Sequence, residues 1–284
     1  MTGAPARDLR YDAAPTRRER ILDLVRQAGY YSLAELSSRL NVSEMTIRRD
    51  VRKLENQGFV QVVHGGVTSV TELVTPVDFG VRTRRHLTAK QAIARAAIPM
   101  LEGALIVGFD AGTTVLEVAR LLPPGTRLTA VTHSLPALGV LASNPTVDLM
   151  GLGGLLNRET QAFAGPLTLR ELSEVRMQKL LLGATAVRDG AMWCTTGADA
   201  ETKRLLIRAA DEVILLADSS KFGYTALMKV ADLTEADTVV TESSPDDAVR
   251  QMLTRSGTQL VVATSADVPA GKQLGSTLLP PDVG

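Results

Sequence analysis

From residue 90 onward the sequence alternates short apolar runs with amphipathic stretches, and this alternation limits the fold more than any other feature. Leu105-Ile106-Val107-Gly108-Phe109 is nearly continuously apolar, as a strand buried on both faces of a parallel sheet requires. Further strands are predicted at 127–132, 147–151, 180–186, 212–217, 237–241 and 259–263. Helices are predicted at about 90–101, from Thr113 to about Leu122, near 199–211 and near 245–255. Alternation of this kind predicts a three-layer α/β domain, in which ligands bind beyond the carboxyl ends of the strands.

The 284 residues suffice for roughly two domains of about 100–200 residues each. With 45% hydrophobic and 22% charged residues, the composition is that of an ordinary globular protein. No apolar run approaches the roughly 18 residues that span a bilayer, and the first twenty residues lack the apolar core of a secretory signal. A cytoplasmic protein without membrane contact is expected. Cys194 stands alone, so no internal disulfide can form. His64, His86 and His133 are far apart beside it, and neither a metal nor a cofactor is expected. The zero net charge hides a division. Residues 1–95 carry 16 Lys+Arg against 10 Asp+Glu, whereas the remainder carries 15 against 21. A basic front joined to an acidic body points to a polyanion at one end only.

The basic end has its own pattern. Thr16-Arg17-Arg18-Glu19 and Ser32-Leu33-Ala34-Glu35 both fit capping boxes, each followed by an apolar stripe. Gly29 is expected to end the first helix and Asn41-Val42 to make a tight turn. Ser43 then caps a third helix that ends at Gly58, with Met45, Ile47, Val51 and Leu54 as its core face. Phe59 to Val63 reads as a strand and His64-Gly65-Gly66 as a turn into a second strand. Two short helices, a tight turn and a β-hairpin make a winged helix-turn-helix, whose second helix enters the major groove. Candidate DNA contacts are Ser32, Ser43, Glu44, Thr46, Arg48, Arg49, Arg52, Lys53 and His64. Asp50 would repel the DNA backbone, so it is expected to orient a neighbouring arginine. The competing reading is a small helical domain for protein contacts.

Residues 69–89 are expected to connect this domain, 16–68, to the larger one at 90–263, with flexible ends at 1–15 and 264–284. In the larger domain the predicted strand ends carry Asp110-Ala111-Gly112-Thr113-Thr114, then Thr132-His133-Ser134, then Gly151-Leu152-Gly153-Gly154, then Asp218-Ser219-Ser220-Lys221. Glu201-Thr202-Lys203-Arg204 is expected to open a helix with further cationic donors. Hydroxyls and free amides at helix starts favour anions. The set suits a small phosphorylated polyhydroxy ligand, with amides and lysines for phosphate and Asp110 and Asp218 for sugar hydroxyls. Duller roles stand beside these: Lys203 and Arg204 as a solvated helix face, Asp218 as a cap, and GLGG as a close packing point.

The stretches VSEMTIRRDVRKLE and HGG resemble the N-terminal domain of the DeoR family of bacterial transcription regulators. DAGTT, VTHSLPA, LGG, AGP, ETKRLL and LADSSKFG follow in the order that family shows them. The resemblance implies an effector domain similar to ribose-5-phosphate isomerase and a phosphorylated sugar as effector. By motif it implies ligand contacts from Asp110, Gly112, Thr113, Thr114, His133, Ser134, Gly153, Gly154, Lys203 and Lys221. Two positions depart from the family: His133 replaces the usual asparagine, and the arginine often found before HGG is missing. The expected function is a repressor of a carbohydrate operon that binds a double-stranded operator as a dimer or tetramer. The alternatives are a sugar-phosphate isomerase fused to a DNA-binding module, with Asp110, Glu201 or Asp218 as base, and a sensor of a nucleotide or unphosphorylated sugar.

Overall fold

The computed structural model describes residues 14–28, 30–56, 59–63, 65–69, 79–222 and 226–263. Its first unit runs α1 (Ala14–Ala28), β1 (Tyr30–Ser32), α2 (Leu33–Leu40), α3 (Glu44–Asn56), β2 (Val60–Val63) and β3 (Gly66–Ser69). Ile21, Leu22 and Val25 of α1 meet Leu36 and Leu40 of α2, Ile47, Val51 and Leu54 of α3, and Val60 and Val67 of the sheet. The three strands pair antiparallel in the order β1-β3-β2.

The local chemistry explains these elements. Ser32 caps α2 through a capping box with Glu35, and Asn41 closes the helix at φ 50°, a conformation asparagine tolerates. Gly65 turns the hairpin at φ 80°. At Gly66 a side chain is excluded by contact, since an added Cβ would lie 2.4 Å from the Tyr31 carbonyl oxygen.

Two expectations fail in this unit. Thr16 does not cap α1, which begins at Ala14; a proline is tolerated in a first helical turn, so Pro15 does not delay the start. Met45 is not core but 75% exposed. It precedes Ile47 by two residues, a step that turns about 200° around a helix. The residues Gly29, Gly58 and His64 and the tail 264–284 lie outside the described ones.

Within the expected connector stand α4 (Phe79–Arg84) and the first turn of α5 (Leu87–Ala97). The larger unit continues with β4 (Ile106–Phe109), α6 (Thr113–Leu121), β5 (Leu128–Thr132), α7 (Leu135–Leu141) and β6 (Val147–Gly151). A hairpin, β7 (Leu155–Asn157) and β8 (Ala162–Ala164), leads to α8 (Pro166–Ser173) and β9 (Met177–Gly183). Then come β10 (Ala186–Arg188), β11 (Ala191–Cys194), α9 (Gly197–Ala209), β12 (Ala210–Leu216) and β13 (Met228–Asp232). The last described elements are β14 (Thr238–Thr241), α10 (Asp247–Ser256) and β15 (Gln259–Val262).

Seven of these strands form one sheet in the order β15-β14-β12-β9-β4-β5-β6, every pair parallel. Its two faces fill two cores by strict alternation. Leu181, Ile214 and Leu216 pack with α5 and α6 on one side. Leu180, Leu182, Val213 and Leu215 pack with α9 and the small sheet β10-β11-β13 on the other. The architecture is therefore a parallel sheet between two layers, with all its carboxyl ends on one rim.

Two further expectations are corrected here. The run 180–186 is not one strand: β9 ends at Gly183 and β10 starts the antiparallel sheet. Glu201 to Arg204 do not open a helix, because α9 starts at Gly197 under a cap from Thr196, whose Oγ1 accepts from Asp199 N at 3.2 Å.

Candidate functional site

Two surfaces gather the polar residues singled out in the sequence. The first is the outer face of α3. Ser43 Oγ accepts from Thr46 N at 3.3 Å and lies 2.9 Å from Thr46 Oγ1, which fixes the start of the helix. Glu44, Arg48, Arg49, Arg52 and Lys53 are exposed, and Thr46 is half-buried. Of the acidic residues further along, Asp50 is turned away from this face, while Glu55 is engaged with the wing. Asp50 is buried and takes the guanidinium of Arg17 at 2.6 Å, with Arg18 at 3.6 Å. Glu55 Oε1 accepts from Val62 N at 2.9 Å and so ties α3 to the wing. The arginine that Asp50 orients is thus in α1, and the outer face of α3 is dominated by Arg48, Arg49, Arg52 and Lys53, with Glu55 exposed at its far end. Ser32 is occupied in its capping box with Glu35, 2.8 Å from Ser32 N to Glu35 Oε2.

The second surface is the rim of the parallel sheet. Asp110 follows β4 and is fully buried. Its Oδ2 accepts from Gly183 N at 2.9 Å and from Lys203 Nζ. Lys203 projects from α9, also reaches Gly183 O at 3.0 Å, and has Asp199 at 3.8 Å. Burial works against the Asp110 carboxylate, but the Lys203 charge, aided by His133 and the hydrogen bonds, outweighs it and holds the pKa below the ordinary range. Burial likewise opposes the Lys203 charge, and the two carboxylates overcome it, so its pKa is raised. His133, at the end of β5, is buried with Nε2 3.8 Å from Asp110 Oδ1. Burial lowers its pKa despite Asp110, so the imidazole is held neutral.

Thr113 and Thr114 at the start of α6 are buried, and Gly112 caps that helix without a side-chain bond. Ser134 caps α7. Gly153 and Gly154 are held against α8: Gly153 N donates to Glu171 Oε2 at 2.8 Å, and Thr168 Oγ1 donates to Gly153 O at 2.6 Å. An added Cβ on Gly154 would meet Thr168 Oγ1 at 2.2 Å. The packing role of this loop is therefore real. Asp218, after β12, caps the short turn Ser219–Lys221 through Oδ1. Burial opposes its charge, and Lys221 with the Ser220 bond prevails, lowering its pKa.

Three buried side-chain atoms on this rim have no hydrogen-bond partner: Asp110 Oδ1, His133 Nδ1 and Asp218 Oδ2. The cations divide differently from expectation. Lys203 is neither a solvated face nor a free phosphate donor, since Asp110, Gly183 and Asp199 engage it. Arg204 clamps the carbonyls of Lys229 and Val230 in β13. Lys221 is half-buried and close enough to stabilise the Asp218 charge.

The chain matches the DeoR-like helix-turn-helix domain over residues 17–73 and the DeoR C terminal sensor domain over residues 85–243. It belongs to the DeoR family. The HTH-type transcriptional regulator GlpR of Haloferax volcanii is 34% identical over 86% of this chain and 96% of that protein. The L-fucose operon activator of Haemophilus influenzae is 32% identical over 83% and 94%. The putative aga operon transcriptional repressor of Escherichia coli O157:H7 is 30% identical over 87% and 93%. Membership makes the chain a DNA-binding transcriptional regulator with a sensor domain, and the isomerase alternative finds no support among these relatives. Ribose-5-phosphate isomerase A from Neisseria gonorrhoeae shares 19% identity over 48% of this chain and 53% of that one, at a TM-score of 0.35. That likeness is too slight to bear on activity.

For this DeoR-family member, two residues stand where the sequence does not lead one to expect them. Met45 is apolar yet exposed, which only the two-residue step to Ile47 signals. Lys90 on α5 is 2% exposed, donates to the Arg82 carbonyl of α4, and senses the charges of Lys221 and Asp218. Burial, with Lys221 next, lowers its pKa to about 8. Nothing in its sequence neighbourhood separates it from a solvated lysine. Among the described residues no helix is long and apolar enough to cross a membrane, and no group of three His, Cys, Asp or Glu side chains could hold a metal ion.

Proposed function

We propose that this chain is a cytoplasmic repressor of a carbohydrate-metabolism operon that releases its operator when a phosphorylated sugar occupies the rim of the sheet. The observation that carries this reading is the trio of buried atoms without partners, Asp110 Oδ1, His133 Nδ1 and Asp218 Oδ2. An unsatisfied buried polar atom costs about 1–3 kcal/mol. A ligand that brings hydroxyl groups to these three recovers that energy only when bound. Lys221 and Lys90 supply cationic donors for a phosphoryl group at the same rim, and the backbone of Gly112, Thr113 and Thr114 offers the N-terminus of α6. Ser134, Gly153, Gly154 and Lys203 complete the pocket, the last by holding Asp110 in place. The printed names of the fucose and aga relatives agree with a carbohydrate role.

At the other end, Arg48, Arg49, Arg52 and Lys53 meet the duplex, with Ser43, Glu44 and Thr46 at the start of α3, Ser32 at the start of α2 and His64 in the wing. One recognition helix covers half a site, so the chain acts as a dimer or tetramer. The sugar phosphate changes DNA affinity through its unequal affinity for two arrangements of that assembly, typically about 1–3 kcal/mol.

The test is a melting series with pentose and hexose phosphates beside the same sugars unphosphorylated, since a true ligand stabilises by mass action. A rise in Tm with at least one phosphorylated sugar, absent with its parent sugar, is expected. Stabilisation by unphosphorylated compounds alone sinks the effector reading. The Arg48→Ala, Arg49→Ala double variant is expected to lose at least about 10-fold in DNA affinity at moderate salt, and unchanged affinity sinks the α3 reading.

A further inference from the structure

Met45 is the apolar member of an otherwise cationic stripe. Residues 45, 48, 49 and 52 stand at i, i+3, i+4 and i+7, which places Met45, Arg48, Arg49 and Arg52 on one face of α3. Met45 is 75% exposed, while Ile47, Val51 and Leu54 of the same helix are at most 1% exposed. Its side chain thus contributes nothing to the core of the first unit. It sits in the first turn of α3, and residues at the start of a recognition helix are those that reach base edges.

In the major groove the polar edges of guanine, adenine and cytosine offer donors and acceptors, which the neighbouring arginines and Thr46 can answer. Thymine alone offers a C5 methyl group. An unbranched thioether side chain adapts its shape to such a surface. We propose that Met45 is a specificity-determining residue that reads the methyl group of a thymine in the operator. The inference rests on α3 being the recognition helix.

The experiment uses the full-length chain. A preferred duplex is selected from a randomised library with the wild-type protein, and each thymine in it is then replaced singly by deoxyuridine, which lacks only the methyl group. Affinities are measured for the wild type, Met45→Ala and Met45→Leu. At one thymine in each half-site the replacement is expected to weaken wild-type binding about 4-fold, the size of one buried methyl group. Met45→Ala weakens the unmodified duplex similarly and is indifferent to the replacement, while Met45→Leu keeps part of the sensitivity. This non-additivity marks a direct contact. Losses that add at every thymine, or no thymine that matters, overturn the proposal. A wild type that selects no preferred duplex overturns it too, together with the reading of α3 beneath it. Because Met45 is mostly exposed, the variants fold, and a cooperative melt at the wild-type Tm checks that.

Discussion

His133 shows what a single side chain does to the energetics of the sensor rim. Asparagine, which the family resemblance leads one to expect here, has no proton to gain; the imidazole does, and burial, aided by the Lys203 charge, opposes its protonation more than Asp110 and Asp199 favour it. Its folded pKa lies below the ordinary 6.5, so below that pH the unfolded chain binds the proton that the folded chain refuses. Stability therefore falls as pH drops from 6.5. The His133→Asn variant is expected to lose this slope between pH 6.5 and 5, measured as the urea midpoint at each pH; equal slopes would show that the imidazole is not held neutral. The identity of His133 was plain from the sequence, but its confinement was not. Burial by sequence-distant parts of the fold creates it, and its charged neighbours Asp110 and Lys203 are themselves separated by 93 positions. Asp50 is similar: repulsion by DNA predicts that it orients a neighbouring arginine, and only the packing of α1 shows that the arginine is Arg17.

At the scale of elements, the long regular pieces were legible and the short ones were not. The β4 and β12 runs are apolar because both faces of the sheet are covered, so the sequence announces them without help from neighbours, whereas Gln178 and Lys179 hide the start of β9. By contrast β7, β8 and β10 have three residues each, too few for any period to declare itself. The start of α9 lies four residues before the expected Glu201, because the cap is Thr196. The wing is an element whose tight turn can be tested directly. An added methyl at Gly66 would collide with the Tyr31 carbonyl oxygen at 2.4 Å and with the Tyr30 ring at 2.6 Å. Gly66→Ala is expected to cost about 1–3 kcal/mol in the stability of the first unit. A urea midpoint equal to that of wild type would show that β1 and β3 yield more easily than this packing implies.

Across the whole molecule, the charge division of the sequence maps onto two tasks: a cationic reader and an acidic sensor. The path between them was the least legible part, because residues 79–87 mix charge and apolar character without a clear period. Among the described residues that path holds α4. Both ties lie toward its C-terminal end: Lys90 donates to the Arg82 carbonyl, and just past that end Arg85 lies over the Phe59 ring of the first unit at 3.9 Å. Two glycines inserted between Arg85 and His86 are expected to leave operator affinity within about 2-fold of wild type while removing its change with sugar phosphate. The measurement is the ratio of Kd with and without the metabolite; an undiminished ratio would mean that the signal travels elsewhere. The end of this six-residue helix is thus a joint, with α5 and Phe59 of the first unit gripped three residues apart. If a bound metabolite shifts α5, that joint would hand the shift to the first unit across only a few residues.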